Sequence, residues 1–302
     1  AQAALNASLK YPLPDKAARD MLNLQYGNLT RTLEIFGGID FSEGGNTFVD
    51  DAPTDGDTAP YYLFPTQNAK NGGYALHGND PLKYVVNNNS RSYDFFENLK
   101  AAALLLNHTD AIVAGTELTG WDTHNNQGQL TGTHPELLQR VGWAIYALKK
   151  YFTQYGRGTN APSDSAKVNW DDVVVITLSE FGRTTIENSN LGTDHAEGGT
   201  VFVAGGAVHG GLYGAHPSDS YNGISVPWLT GDTGSMFGVR GRYLQRAIDY
   251  RSVLGEIIRN HLGATQSQLD RIIPGYANPA ENLKLGGAGL DGTTIGGEVG
   301  LV

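Results

Sequence analysis

The sequence predicts an α/β fold whose sheet is mostly parallel. Two observations carry this expectation. Between residues 92 and 263, stretches with apolar residues at helical spacing alternate with short apolar runs suited to buried strands. Each of those runs, 110–118, 172–178 and 200–204, leads into a polar loop, and in open parallel sheets such loops carry the sites. At 302 residues the chain can bury a full hydrophobic core without a metal or disulfide staple.

The elements follow in order. Residues 14–36 read as a helix, with Asp15 as N-cap, Ala18, Met21, Leu22, Leu29, Leu33 and Phe36 near one face, and Gly37-Gly38 as its stop. From Asp40 to Asn89 the chain is rich in Gly, Asn, Asp and Pro and lacks periodicity. It also carries Tyr61, Tyr62, Phe64 and Tyr74, too many aromatics for a solvated linker, so an ordered excursion is expected. A helix over 93–107 is predicted from Phe95, Phe96, Leu99, Ala103 and Leu106, and a strand over 110–118 follows it. Thr133-His-Pro-Glu136 has capping-box spacing, and Leu137, Leu138, Val141, Ile145, Leu148 and Phe152 continue a helix. Strands are expected at 172–178 and 200–204, and a last helix at 249–261 meets Gly263. The chain divides into an N-terminal helix and irregular excursion (1–89), an α/β core carrying the motif loops (90–275) and a Gly-rich tail (276–302). Such a tail is ordered only against a partner surface or a groove on its own domain.

Composition narrows the chemistry. A formal net charge of -10 argues against a general nucleic-acid or anionic-membrane binder. With no Cys, disulfides, thiolate catalysis and Cys-ligated metals are excluded, so any metal must use His and carboxylates. No apolar run approaches the roughly 18 residues of a membrane span. The polar, Gly-rich, charge-poor balance resembles that of exported proteins.

Three loops hold the residues that could act. In Gly120-Trp-Asp-Thr-His124, Asp122 and His124 alternate along an extended segment and project the same way, so both can reach one cation. In Ser179-Glu-Phe-Gly-Arg-Thr184, Glu180 and Arg183 stand at a strand end. Arg183 can clamp an oxyanion there, or pair with Glu180 to fix the loop. In Gly192-Thr-Asp-His195, Asp194 and His195 can straddle a metal, or the carboxylate can orient the imidazole. For each loop the plain alternative is a capped turn. His209 is a possible extra ligand, whereas His77, His108, His134, His216 and His261 have no partner spacing, and His261 suits a helix C-terminus. A Gly-x-Ser-x-Gly elbow, a P-loop, a Gly-x-Gly-x-x-Gly turn and a His-Glu-x-x-His helix are all missing.

In this order, Gly120-Trp-Asp-Thr-His-Asn-Asn-Gln127, Leu178-Ser-Glu-Phe-Gly-Arg-Thr184, Gly192-Thr-Asp-His195 and Gly205-Gly-Ala-Val-His-Gly-Gly211 resemble the DUF1501 family over roughly 90–265. That family is grouped with the alkaline-phosphatase-like and sulfatase-like hydrolases. The resemblance implies a three-layer α/β sandwich, export by a twin-arginine signal, and hydrolysis of phosphate or sulfate esters with divalent metal ions (Zn, Mn or Ca). Asp122, His124, Asp194 and His195 would ligate metal, and Glu180 with Arg183 would position the substrate anion. Two departures stand out. Phe181, which cannot ligate, lies where the wider superfamily commonly has a metal-binding His. The family's early Gly-Gly-Asn-Asp strand end and nucleophile region would lie upstream of Ala1, so the chain resembles the C-terminal part of a member. The expected partners are therefore the separate N-terminal part of its own precursor or other assembly subunits, in an oligomer or complex. The rival expectation is a non-catalytic extracellular or periplasmic assembly subunit that keeps the hydrolase fold.

Overall fold

The computed structural model describes residues 16–41, 49–50, 61–65, 90–155, 168–211, 213, 243, 248–276, 287–288, 294–295 and 298–302. Helix α1 spans Lys16–Gly37 and ends at the first of the two glycines expected to stop it; Asp15, its expected cap, lies outside the described residues. Strands β1 (Val49–Asp50) and β2 (Tyr61–Tyr62) form a short antiparallel pair. Leu63 and Phe64 follow directly and are fully buried, so this part of the aromatic excursion is ordered because it feeds the core. The remainder of 40–89, including Tyr74 and His77, is largely outside the described residues.

Helices α2 (Ser90–His108) and α3 (Thr133–Lys150) build the main core. The spacing of Phe95, Phe96, Leu99 and Ala103 puts one face of α2 inward, and Trp143, Ala144, Ala147 and Leu148 do the same for α3. Phe64, Tyr151 and Phe152 fill the space between, with edge-on ring contacts from Tyr151 to Phe64 and to Phe152. Each fully buried aromatic contributes about 1.5–3 kcal/mol through removal of its surface from water. The polar atoms that enter are paired: Trp143 Nε1 donates to the Leu63 carbonyl at 2.9 Å, and the Asn107 amide donates to the Tyr151 hydroxyl at 3.3 Å. Lys100 is buried here too. Burial lowers its pKa, against the opposing charges of Glu97 and Asp40.

The expected capping box at Thr133 does not form. The N-cap is Gly132, whose φ of 120° suits Gly, and Glu136 faces Arg140 one turn on at 3.7 Å. At its other end α3 widens into a π-turn over Tyr151–Tyr155.

The run 110–118 forms no strand among the described residues, and Ile112 and Val113 are 74% and 73% exposed. It is therefore not the buried strand that its apolar composition predicts. After a 3-10 turn at Trp170–Asp172, β3 (Val174–Ile176) pairs with β6 (Val203–Gly205), so the runs 172–178 and 200–204 are neighbours. Their pairing is antiparallel. A parallel link needs a crossover, usually a helix, and the chain between them instead folds back on itself as β4 (Gly182–Arg183) and β5 (His195–Ala196). All four described strand pairs are antiparallel.

Helix α4 (Tyr250–Glu256) is capped by Asp249, whose carboxylate accepts from the Arg251 N–H at 2.9 Å. It passes into a π-turn, Ile257–His261, and Gly263 follows with φ 70°. Helix α5 (Gln266–Ile272), which the sequence reading left out, is opened by a Thr265–Gln268 capping box. Leu269, Ile273 and Tyr276 form a second small core with Leu254 and Ile258. The remaining strands, β7 (Gly287–Ala288) and β8 (Thr294–Ile295), pair antiparallel. The tail end, 298–302, docks on α4, where Glu256 accepts the N–H groups of Val299, Leu301 and Val302. Among the described residues no helix is long and apolar enough to cross a membrane.

Candidate metal centre

The three polar loops meet. Backbone bonds zip the first to the third: Asn126 N–H donates to the Asn190 carbonyl (3.0 Å), Gln127 N–H to Leu191 (2.8 Å) and Thr193 N–H to Thr123 (3.2 Å). The β4–β5 ladder joins the second to the third, with Arg183 opposite His195. The Gln127 side-chain oxygen accepts from the hydroxyls of Thr123 (2.9 Å) and Thr193 (2.5 Å), a further tie across the seam. Packing there is too close for side chains. A Cβ on Gly192 would sit 2.2 Å from the His124 carbonyl, and one on Gly182 would sit 1.7 Å from that of Gly198. Asn126 (φ 47°) and Leu191 (φ 59°) hold left-handed backbone at this junction, a conformation that costs a Leu roughly 1–2 kcal/mol.

This frame brings Asp122, His124 and His195 together: one ligand atom from each lies within 4.8 Å of the others. His195 Nε2 is 2.7 Å and His124 Nε2 is 3.0 Å from Asp122 Oδ1, and the two Nε2 atoms are 3.2 Å apart. Two imidazole nitrogens facing each other and a carboxylate at that range need a shared proton or a cation between them. Around a small divalent cation with bonds of about 2.0–2.2 Å, neighbouring donors stand about 3.4 Å apart, so the set fits after its members part by about 0.2–0.7 Å. All three side chains are 41–57% exposed, which leaves the cluster open to solvent.

The surrounding groups fix the donors. Arg183 Nη2 donates to Asp122 Oδ1 (2.8 Å) and to the Trp121 carbonyl (2.7 Å), and Nη1 donates to the Thr193 carbonyl (2.6 Å). The hydrogen bond from His195, then the charges of His124, His195 and Arg183, hold the Asp122 carboxyl below the usual carboxylate range against a smaller opposing effect of burial. Phe181 stacks flat on His195, with ring centroids 3.9 Å apart at 12°, and the Arg183 guanidinium lies 5.3 Å from the Phe181 ring. On the far side Trp121 meets His134 edge-on at 5.2 Å. Burial, and then the charge of Arg183, lowers the His134 pKa.

Residues 78–240 match the family described as "Protein of unknown function (DUF1501)". The chain belongs to the DUF1501 family. No curated protein and no solved structure matches it. Three of the four motifs that carried the resemblance therefore converge in this DUF1501 chain, on one cluster.

The predicted site residues divide. Asp122, His124 and His195 share the cluster, and Arg183 pairs with Asp122 rather than with Glu180. Glu180 is exposed and makes no hydrogen bond or ion pair among the described residues. Asp194 stands beside the other nitrogen of His124, its Oδ1 3.4 Å from Nδ1. His209 is elsewhere, with Nδ1 donating to the Gly300 carbonyl at 2.8 Å, and His261 stands in the last turn of its helix, as expected, where it donates to the Asp172 carbonyl at 3.1 Å. Two contributors were missed, Asn188 and Gln127. Polar residues in loops are common, and nothing in their spacing sets these two apart.

Proposed function

We propose that this DUF1501 chain binds a divalent cation through Asp122, His124 and His195 and belongs to the lineage of exported, metal-dependent phosphate or sulfate ester hydrolases with an alkaline-phosphatase-like, three-layer α/β architecture. The observation that carries the reading is the convergence of one carboxylate oxygen and two imidazole nitrogens from separate loops within 4.8 Å. Two nitrogens and one oxygen suit Zn, Mn or Fe better than Ca, which prefers oxygen alone. A bound cation would supply Lewis-acid polarisation of a phosphoryl or sulfuryl oxygen. The chain's own residues hold the donors in register: Arg183 anchors Asp122, and Phe181 fixes the plane of His195. The periplasm or the extracellular space is the setting this lineage implies.

One observation favours a second reading, a non-catalytic assembly subunit. Arg183, the expected anion clamp, points both of its terminal nitrogens at protein oxygens. The experiment is turnover of aryl phosphate and aryl sulfate esters by the full chain with added Zn or Mn. Hydrolysis abolished by EDTA and by His195→Ala supports the hydrolase. Tight cation binding without turnover of either ester class supports the assembly subunit and overturns the hydrolase.

A further inference from the structure

We infer that α4, its π-turn, Tyr276 and the loop after β6 form a peptide-recognition site, selective for a carboxylate, a glycine and an aliphatic residue at the first, third and fourth positions of a segment. Glu298–Val302 of the same chain occupies it. The site shares no residue with the metal cluster and does not rest on the cation reading.

Recognition of the main chain carries the inference. Glu256 accepts the N–H groups of Val299 (2.7 Å), Leu301 and Val302 (3.2 Å). His209 donates to two carbonyls, from ring Nδ1 to Gly300 and from its backbone N–H to Leu301, each at 2.8 Å. The Asn260 amide donates to the Val302 carbonyl at 3.1 Å. Three side chains and one backbone N–H thus meet three N–H groups and three carbonyls of a five-residue segment. Peptide-binding sites draw affinity from such main-chain bonds and specificity from side-chain pockets. Glu256 makes the site demand an occupant. Its carboxylate is fully buried, so without the segment it would lose three donors, and a buried acceptor left unmet is costly. The ligand must bring a row of N–H groups, as a peptide does.

Three positions add selectivity. The Glu298 carboxylate accepts a two-bond fork from the Arg259 guanidinium and a third bond from the Tyr276 hydroxyl, an arrangement fitted to an acid. Gly300 holds φ 74°, and an added Cβ would meet nothing within 4 Å, so glycine is needed there for backbone conformation rather than for space. Leu301 is only 4% exposed, whereas Val302 beside it is half-buried.

The test uses the full chain carrying Glu298→Ala and Gly300→Ala, which weaken the resident segment without altering the walls, and a fluorescein-labelled synthetic peptide of residues 294–302. Anisotropy titration should show one peptide bound per chain. The parent chain should bind it at least about tenfold more weakly, because its own tethered segment competes at an effective concentration on the order of 1 mM. A peptide carrying Gly300→Ala should bind about tenfold more weakly than the native one. Adding Glu256→Ala to the tail variant should abolish binding; Arg259→Met should weaken it and serves if Glu256→Ala does not fold. Gly300→Ala alone serves if the double tail variant does not fold. Failure of the tail variants to bind the peptide overturns the inference. So does binding that both wall variants leave unchanged, or equal binding of the native and Gly300→Ala peptides.

Discussion

Asp122 Oδ1 receives three groups at once, the Nε2 atoms of His124 and His195 and Nη2 of Arg183. Arg183 also holds the carbonyls of Trp121 and Thr193, with only 14% of its side chain exposed, so its loss would deprive the Thr193 carbonyl of this donor, leave the Trp121 carbonyl to the Thr123 N–H alone (2.9 Å), and loosen the carboxylate. Arg183→Met should cost about 1–3 kcal/mol in urea unfolding and weaken Zn binding. Gly192→Ala should be worse than its one added methyl suggests. With a Cβ 2.2 Å from the His124 carbonyl the loops must part, at about 1–3 kcal/mol, and cation affinity should fall with stability in the same melt series. At this scale the sequence picked out three side chains that lie together, Asp122, His124 and His195, and did not assign their neighbours. Alternation in an extended segment put Asp122 and His124 on one side, and the same rule separates Asp194 from its neighbour His195. The pairing of β4 with β5 decides which of those two faces inward, and pairing is non-local. For Arg183 the sequence left Glu180 or an anion as partners, since Asp122 lies 61 residues away along the chain.

The helices were legible because their periodicity is local. Those predicted at 14–36, 93–107 and 249–261 correspond to α1, α2 and α4 with its π-turn, each within a few residues. The miss at α5 was avoidable, since Thr265-Gln-Ser-Gln268 is a readable capping box. The apolar run 110–118 could not be resolved by composition, because an apolar run states a preference for burial and not what supplies it. Asp249 gives this scale its test. Burial alone would raise its pKa, but the side-chain and backbone hydrogen bonds from Arg251, and that residue's charge, outweigh it and leave the carboxyl below the ordinary value. Its folded pKa is thus depressed. The stabilisation it brings to α4 is full above the unfolded carboxylate pKa and disappears as pH falls through the folded one. Asp249→Ala should cost about 0.5–2 kcal/mol at neutral pH, measured by thermal melting, with the gap to the parent chain closing under acid. A gap that persists in acid would show that the ionised cap is not its source.

Across the whole molecule, one buried acid gathers three backbone N–H groups of the tail. Glu256, fully buried, accepts the backbone N–H groups of Val299 (2.7 Å), Leu301 and Val302 (3.2 Å). Glu298 meets Arg259 and the Tyr276 hydroxyl, and burial together with that carboxylate raises the Tyr276 pKa. His209 ties the loop after β6 to the same segment through Gly300 and Leu301. Glu256→Ala should therefore release 298–302 and cost about 3 kcal/mol. Hydrogen exchange would then show Val299, Leu301 and Val302 unprotected while Trp143 and Ala147 in α3 keep their protection. The Gly-rich composition pointed to a groove or a partner, and this five-residue segment bonds to the chain's own α4 and the π-turn after it.

The central claim is that Asp122, His124 and His195 hold one divalent cation, and equilibrium dialysis of the full chain against Zn with elemental analysis tests it most directly. The account predicts one Zn per chain, lost in His195→Ala and Asp122→Ala and retained in Glu180→Ala. A parent chain that retains no Zn, or a His195→Ala chain that retains as much as the parent, would contradict it.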